Sequence, residues 1–276
     1  MFASVEPNTG ISVVIIAYNE ANNIGNCIDS VIEIANEILV VDSFSTDNTV
    51  SIALKKGARV LQHHFEGHIQ QKNWAKDQAA FDWVLSLDAD ECLSQELVAN
   101  LKTAIQNGIL HGKTKGYSFS RLNHLGSSPI RGCGWYPDIK LRLWDKHCGV
   151  WAGRNPHDKF MLNDAYSLGT LPGDILHYTY PDLNAVKQQA IKFGKIGGLA
   201  LKKEYLEHPG LHRGVIFYLI VKLLTAGLAR FLRNYVLKGG WKYGFNGLSI
   251  CFWQTVEVSY KYGFALFGKN SIHSTT

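Results

Sequence analysis

The segment SLDADE sets Asp88 and Asp90 one residue apart at the end of the apolar run 82–88 (DWVLSLD), with Glu91 directly behind. On a continuing strand such a pair points to opposite faces, but a turn lets both acids face one ion. Carboxylate oxygens are hard donors, so the matching ion is Mg2+ or Mn2+ with a bound phosphate completing the shell. Strand dipoles largely cancel and neutralise little of this charge. Glu91 adds repulsion unless a cation sits there. A second acid, Asp42, ends the run 37–42 (EILVVD) and leads into SFSTDNT. Plainer readings stand beside these: a solvated acidic turn for the first cluster, and helix capping by Ser45, Thr46 and Asp47 for the second. Capping, however, requires no acid at the strand end itself. The first apolar run ends in AYNEANNI, without Gly-x-Gly-x-x-Gly, and the chain has no Gly-Lys-Ser/Thr loop. A phosphate would therefore have to be held by metal and basic side chains.

The elements that must position these acids follow from hydrophobic periodicity. Residues 11–18 (ISVVIIAY) are a continuous apolar, β-branched run of the kind buried on both faces of a parallel sheet. Ile24, Cys27, Ile28, Val31 and Ile32 then recur at helical spacing. A strand at 37–42, a helix over 46–56, a strand at 58–62, a helix near 70–80 and a strand at 82–88 continue the alternation. This predicts an α/β, doubly wound, mostly parallel sheet with right-handed crossovers and a ligand site at the carboxyl ends of its strands. Residues 94–108 read as a helix and 115–123 as a strand. From 126 to 181 the pattern breaks into Gly, Pro, Trp and His with short pieces such as 139–144, as in binding or lid regions.

The tail differs. Residues 215–237 read VIFYLIVKLLTAGLARFLRNYVL; on a helical wheel Lys222, Arg230 and Arg233 fall opposite Phe217, Ile220, Leu224, Leu228, Phe231 and Tyr235. A membrane span needs ~20 mostly apolar residues, and Lys222 and Arg230 interrupt this stretch, so an amphipathic helix lying in the interface is expected. A core helix docked on the main domain is the plainer alternative. The second uncharged run, 243–256, is also short for a span.

Among 276 residues there are 28 Lys+Arg against 23 Asp+Glu, a net charge of +5. After residue 210 come Arg213, Lys222, Arg230, Arg233, Lys238, Lys242, Lys261 and Lys269 against Glu257 alone. A basic tail on a near-neutral body calls for an anionic surface. A 46% hydrophobic share excludes a disordered chain. The five cysteines are scattered, with no Cys-x-x-Cys pair, which fits a reducing compartment. The N-terminus lacks the features of a secretory signal, so a cytoplasmic location is expected.

SVVIIAYNEANNI, EILVVDSFSTDNTV, FEGHIQQKNWA and DWVLSLDADE, in this order, resemble the family 2 inverting glycosyltransferases of GT-A fold. More closely, they are similar to the lipopolysaccharide-core glucosyltransferases of the WaaE/KdtX/LgtF type. The likeness is dense over 11–97, patchier over 115–182, and returns in ARFLRNYVLKGGWKYGFNGL. It implies a GT-A domain over 1–210, with a nucleotide-sugar half at about 1–112 and an acceptor half at about 113–182, followed by a membrane-associating tail at 211–276. By resemblance, Ala17, Tyr18 and Glu20 line the nucleotide pocket, Asp42 accepts from the uracil of a UDP-sugar, and Lys72 lies near the nucleotide. Asp88 contacts the ribose and the metal shell, Asp90 binds the divalent cation (Mg2+ or Mn2+), and His177 completes that shell. The family's general base matches Asp158, in RNPHDKF beside His157, where relatives more often carry Glu; Asp138 and Asp145 are alternatives. Arg142 and Trp135 are assigned to donor phosphate and sugar stacking.

The implied reaction transfers a hexose, with glucose from UDP-glucose expected, to a lipid-linked oligosaccharide, a heptose of the lipopolysaccharide inner core. The enzyme would sit peripherally on the cytoplasmic face of the inner membrane, against anionic lipid. A polyprenyl-phosphate glycosyltransferase and a non-catalytic nucleotide-binding membrane adaptor are the alternatives. A nucleic-acid partner is not expected, since the charge lies on the most apolar helix rather than in a groove with interleaved aromatics.

Overall fold

The apolar runs of the first ninety residues become a stack of parallel strands. In the computed structural model, which describes residues 10–154, 157–206 and 212–268, the alternation runs β1 (Ile11–Ala17), α1 (Ile24–Asp29), β2 (Glu37–Asp42), α2 (Thr49–Lys55), β3 (Arg59–Gln62), α3 (His68–Asp77) and β4 (Trp83–Asp88). β5 (Glu91–Leu93), α4 (Gln95–Gln106), β6 (Thr114–Leu125) and β7 (Ser128–Pro129) follow. Next come β8 (Asp138–Asp145), β9 (Gly149–Arg154), β10 (His157–Leu162) and β11 (Ser167–Tyr180), then α5 (Leu183–Leu201), α6 (His212–Leu232) and α7 (Gly244–Phe267).

The main sheet has the order β3-β2-β1-β4-β8-β6-β11-β5. β3, β2, β1 and β4 are parallel, whereas β8 runs antiparallel to β4, β6 to β8, and β5 to β11. The sheet is therefore doubly wound and parallel in its first half and antiparallel in its second. The stretch expected to be loop-rich, 126–181, carries five strands among the described residues, β7 to β11. Glycine, proline and charge interrupt the alternation of β8 to β11, and pairing in antiparallel ladders holds them instead. Along β1, Val13 and Ile15 enter one apolar layer and Val14 the other, so the strand is buried on both faces. Each such side chain contributes about 1.5–3 kcal/mol.

β9 and β10 form a separate antiparallel hairpin. Trp151 and Phe160 fix it in the same layer as Trp144; the Trp144 and Phe160 rings stack at 4.0 Å.

The chain forms two compact units, residues 1–122 with 137–178, and 123–136 with 179–276. The boundary expected near 210 thus falls inside the second unit, because α5 packs on α7. A Cβ at Gly194 would lie 2.9 Å from the Glu257 carbonyl, and one at Gly198 2.8 Å from the Lys261 carbonyl, so these helices meet nearly backbone to backbone. Leu125, Ile130, Val186 and Ile250 form the core at the other end of this unit. α6 continues through one wider turn, Arg233–Leu237. By length and composition the helix Gly214–Leu237, of mean hydropathy 1.9, can cross a membrane, Lys222 and Arg230 notwithstanding. Arg213 and Lys269 lie outside the residues whose side chains are described.

Candidate active site

Ala17 faces Asp42 across β1 and β2, and Ile16 faces Asp88 across β1 and β4. Both acids therefore end strands flanking β1 at one sheet edge, about 10 Å apart at two strand spacings. Asp42 is fully buried. Its carboxylate accepts the Ser45 amide at 2.9 Å and the Ser45 hydroxyl, so it organises the turn after β2 and, at 0% exposure, offers no surface to a uracil ring. The loops after β1 and β2 are laced together: Asn19 N donates to Ser45 Oγ at 2.8 Å, Thr46 N to Asn19 Oδ1 at 2.8 Å, and Ala21 N to Asp47 Oδ2 at 3.1 Å. Asn19 (φ 54°) and Phe44 (φ 61°) hold left-handed backbone at these two turns; Asn tolerates this, while for Phe it is strained.

Ala17 is buried, its carbonyl accepting Ser43 N at 2.9 Å, and Tyr18 beside it is exposed. Glu20 is half-buried and accepts Asn23 Nδ2 at 2.7 Å. Burial raises its carboxyl above the usual range, the Asn23 bond opposes this, and Asp90, Asp47 and Asp88 raise it further.

Three consecutive residues of α3 point about 100° apart and tie three strand systems together. Gln71 donates to Ser43 Oγ at 3.0 Å and pairs with His63 at 2.8 Å. Lys72, buried beside the Trp151 ring, bridges Asp88 at 3.0 Å and Asp158 at 2.9 Å. Asn73 exchanges two bonds with the Trp151 backbone, Nδ2 to O at 2.9 Å and N to Oδ1 at 3.0 Å. Asn73 thus clamps the hairpin that carries Asp158 to the helix that carries Lys72. The QKN sequence marked Lys72 alone; the role of Asn73 was hidden because its partner is a backbone some eighty residues away in sequence.

Arg142, buried in β8, donates to Asp88 at 3.0 Å and Glu91 at 2.6 Å. Arg121 reaches Glu91 at 3.1 Å and Asp138 at 2.7 Å, and Lys140 reaches Asp138 at 3.1 Å. The cation that Glu91 demands is therefore a pair of guanidinium groups. Burial would raise the Asp88 carboxyl, but Lys72 and Arg142 outweigh it and hold it well below the usual carboxylate range. Burial likewise opposes the Arg142 charge, and Glu91 and Asp88 overcome it. Arg142 is thus bound to carboxylates rather than presented to a donor phosphate, while its Nε is buried without a partner among the described residues. Of the alternative bases, Asp138 is held by Arg121, and Asp145 lies 3.2 Å from Lys115.

β11 sets His177 opposite Glu91 on β5 and donates the Tyr178 amide to the Asp90 carbonyl at 3.0 Å. This brings His177 Nε2 to 3.3 Å from Asp90 Oδ2, so the two predicted metal ligands meet. Among the described residues no three His, Cys, Asp or Glu side chains converge. Two side-chain donors suit a hard cation that takes its remaining ligands from phosphate and water, and the mixed oxygen–nitrogen set suits Mn2+ at least as well as Mg2+. The side chain of His157 lies outside the described residues. Trp135 belongs to the second unit, where it stacks on Tyr180 at 4.7 Å.

Residues 12–125 match the model of glycosyl transferase family 2. An uncharacterized glycosyltransferase of Rickettsia conorii is 48% identical over 87 residues, covering 32% of this chain and 31% of the relative. The lipopolysaccharide core biosynthesis glycosyltransferase LpsC of Rhizobium meliloti is 35% identical over 96 residues, covering 33% of this chain and 35% of LpsC. The chain thus spans about a third of the length of these relatives. Among solved structures, glucosyl-3-phosphoglycerate synthase from Mycobacterium tuberculosis is 25% identical at a TM-score of 0.34, covering 42% of this chain and 44% of that one. The acid-edged parallel half of the sheet and the matched motifs are one segment of sequence, and residues 12–125 are a family 2 glycosyl transferase domain.

Proposed function

We propose that the protein is an inverting glycosyltransferase that moves a hexose, glucose from UDP-glucose, onto a lipid-linked oligosaccharide, a heptose of the lipopolysaccharide inner core, at an anionic membrane surface. The observations that carry this reading are the Lys72 bridge from Asp88 to Asp158 and the Asp90–His177 pair, set two residues beyond Asp88 past the carboxyl end of β4. Asp90 and His177 would hold the divalent cation, which neutralises charge growing on the departing diphosphate. Tyr18 and Glu20 line the loop where the nucleoside binds, and Asp42 keeps that loop in shape. Arg142 and Lys72 fix the Asp88 carboxylate for the ribose. Asp158, one oxygen held by Lys72, takes the proton of the acceptor hydroxyl with the other. The similarity to LpsC supports a lipopolysaccharide acceptor, and the basic second unit supports a membrane setting.

The test is a panel of nucleotide sugars assayed for metal-dependent hydrolysis and for transfer to core-oligosaccharide lipid. UDP-glucose should be hydrolysed slowly with Mn2+ or Mg2+ and transferred faster. Asp158→Asn should lower transfer by about 10²–10⁴-fold while donor affinity is unchanged. Failure of every UDP-sugar in the panel would contradict the assignment.

A further inference from the structure

The second unit keeps an apolar core around Ile130 and Ile250, but its helix α6 turns large apolar side chains outward. In water an amphipathic helix turns its apolar stripe inward and its charges outward. α6 does the reverse. Phe217, Leu224 and Leu228, within one turn-to-turn stripe, are 69%, 73% and 62% exposed, whereas Arg230 is half-buried and close enough to Glu257 on α7 to act on its charge. Besides an apolar cluster of Val215, Leu219 and Ala265, the helices meet through small and polar groups. A Cβ at Gly227 of α6 would lie 2.5 Å from Ser259 Oγ, Asn234 donates to Gln254 with both side chains buried, and Gly194 and Gly198 bring α5 against α7. Small residues at close helix contacts, hydrogen bonds between helices and large apolar groups outside are how helices associate in lipid, where burying leucine between helices gains nothing over leaving it in acyl chains.

The connection between α6 and α7 continues this surface. Leu237, Trp241 and Phe245 are 79%, 57% and 74% exposed, and Lys238 and Lys242, both exposed, stand among them. Aromatic and basic side chains mixed in this way belong at the boundary between acyl chains and anionic headgroups. The turn is also gripped from within its own unit: Cys133 N donates to the Lys238 carbonyl at 3.1 Å, and Arg131 N to Tyr243 Oη at 2.9 Å. The chain reaches residues 131–133 directly from β6. A hairpin with its turn on the far side of a membrane would have to carry that loop across with it.

We infer that α6 and α7 are embedded as a helical hairpin in one leaflet of an anionic bilayer, with Phe217, Leu224, Leu228 and Phe245 among the acyl chains and Lys238 and Lys242 at the headgroups. The unit is neither a surface-lying amphipathic helix nor a span. This takes its setting from the membrane reading above and does not depend on the transfer chemistry. The alternative occupant of the same face is a second copy of the chain.

The full-length protein is mixed with vesicles of phosphatidylethanolamine and phosphatidylglycerol, floated on a density gradient, and challenged with about 1 M NaCl, where the Debye length falls to ~3 Å. Retention at high salt is expected, because apolar insertion is not screened. The pair Leu224→Ser and Leu228→Ser should weaken vesicle binding by about tenfold or more, and brominated acyl chains should quench the emission that Trp241→Phe removes. UDP-glucose hydrolysis in detergent is read on the same samples: its loss in the native protein, with vesicle retention intact, would fault the transferase reading and leave this one standing. Release of the native protein by salt overturns the inference. So does a salt-stable dimer without vesicles that the serine pair dissolves while vesicle binding is absent.

Discussion

Lys72 sits where two carboxylates from different halves of the first unit converge, and its side chain is only 5% exposed. Removing one partner of a buried ion cluster leaves the others unpaired, so Lys72→Met should cost about 3 kcal/mol, measured by denaturant unfolding. Wild-type-like stability would mean that Asp88 and Asp158 are solvated well enough to do without it. Asp88 also gives a pH signature. A carboxyl held below its usual range adds stability above the unfolded value of about 4 and loses it as pH falls below that value. Wild-type Tm should therefore exceed that of Asp88→Asn near pH 7, and the gap should narrow as pH falls below about 4; a gap independent of pH would contradict the pairing. At this scale the sequence disclosed the acids that end strands, since an apolar run stopping at Asp88 is visible. It did not disclose that Glu91 and Arg142 neutralise one another, because that pairing depends on β8 returning beside β4.

Helix α3 shows how one element can join the two halves of a site. Asn73 makes both of its bonds to the backbone of Trp151, so Asn73→Ala should cost about 1–3 kcal/mol and let the β9–β10 hairpin drift. Drift moves Asp158 away from the acceptor without touching the donor, so kcat should fall while the donor KM holds; an equal change in both would place Asn73 at the nucleotide instead. The helices and parallel strands of the first half were legible because their periods are clean, and α4 even begins on a capping Ser94 that accepts the Leu97 amide. β8 to β11 were not legible. Their order comes from antiparallel pairing and from the Trp144 and Phe160 rings, stacked on one another with Trp151 edge-on to both, neither of which leaves a periodic trace. For α6 the wheel grouped Phe217, Leu224 and Leu228, which face outward, with Phe231 and Tyr235, which pack on the core; it could not say which face packs, and Gly227 takes one of the close contacts.

For the whole molecule, an N-terminal transferase domain is joined in one chain to a second unit of small-residue helix contacts and outward apolar side chains. Deleting residues 211–276 would strip α7 from α5 and expose the Gly194–Gly198 face, so substitutions in the full chain test the tail better than truncation does. The central claim is that the carboxyl edge of the sheet receives a diphosphate through a divalent cation held by Asp90 and His177. Calorimetric titration of UDP, with Mn2+ and with chelator, on the native protein and on Asp90→Asn tests it most directly. The account predicts binding at least about tenfold tighter with Mn2+ in the native protein, and no effect of Mn2+ once Asp90 is replaced. Equal UDP affinity with and without the metal, or a metal effect that survives in Asp90→Asn, would contradict it.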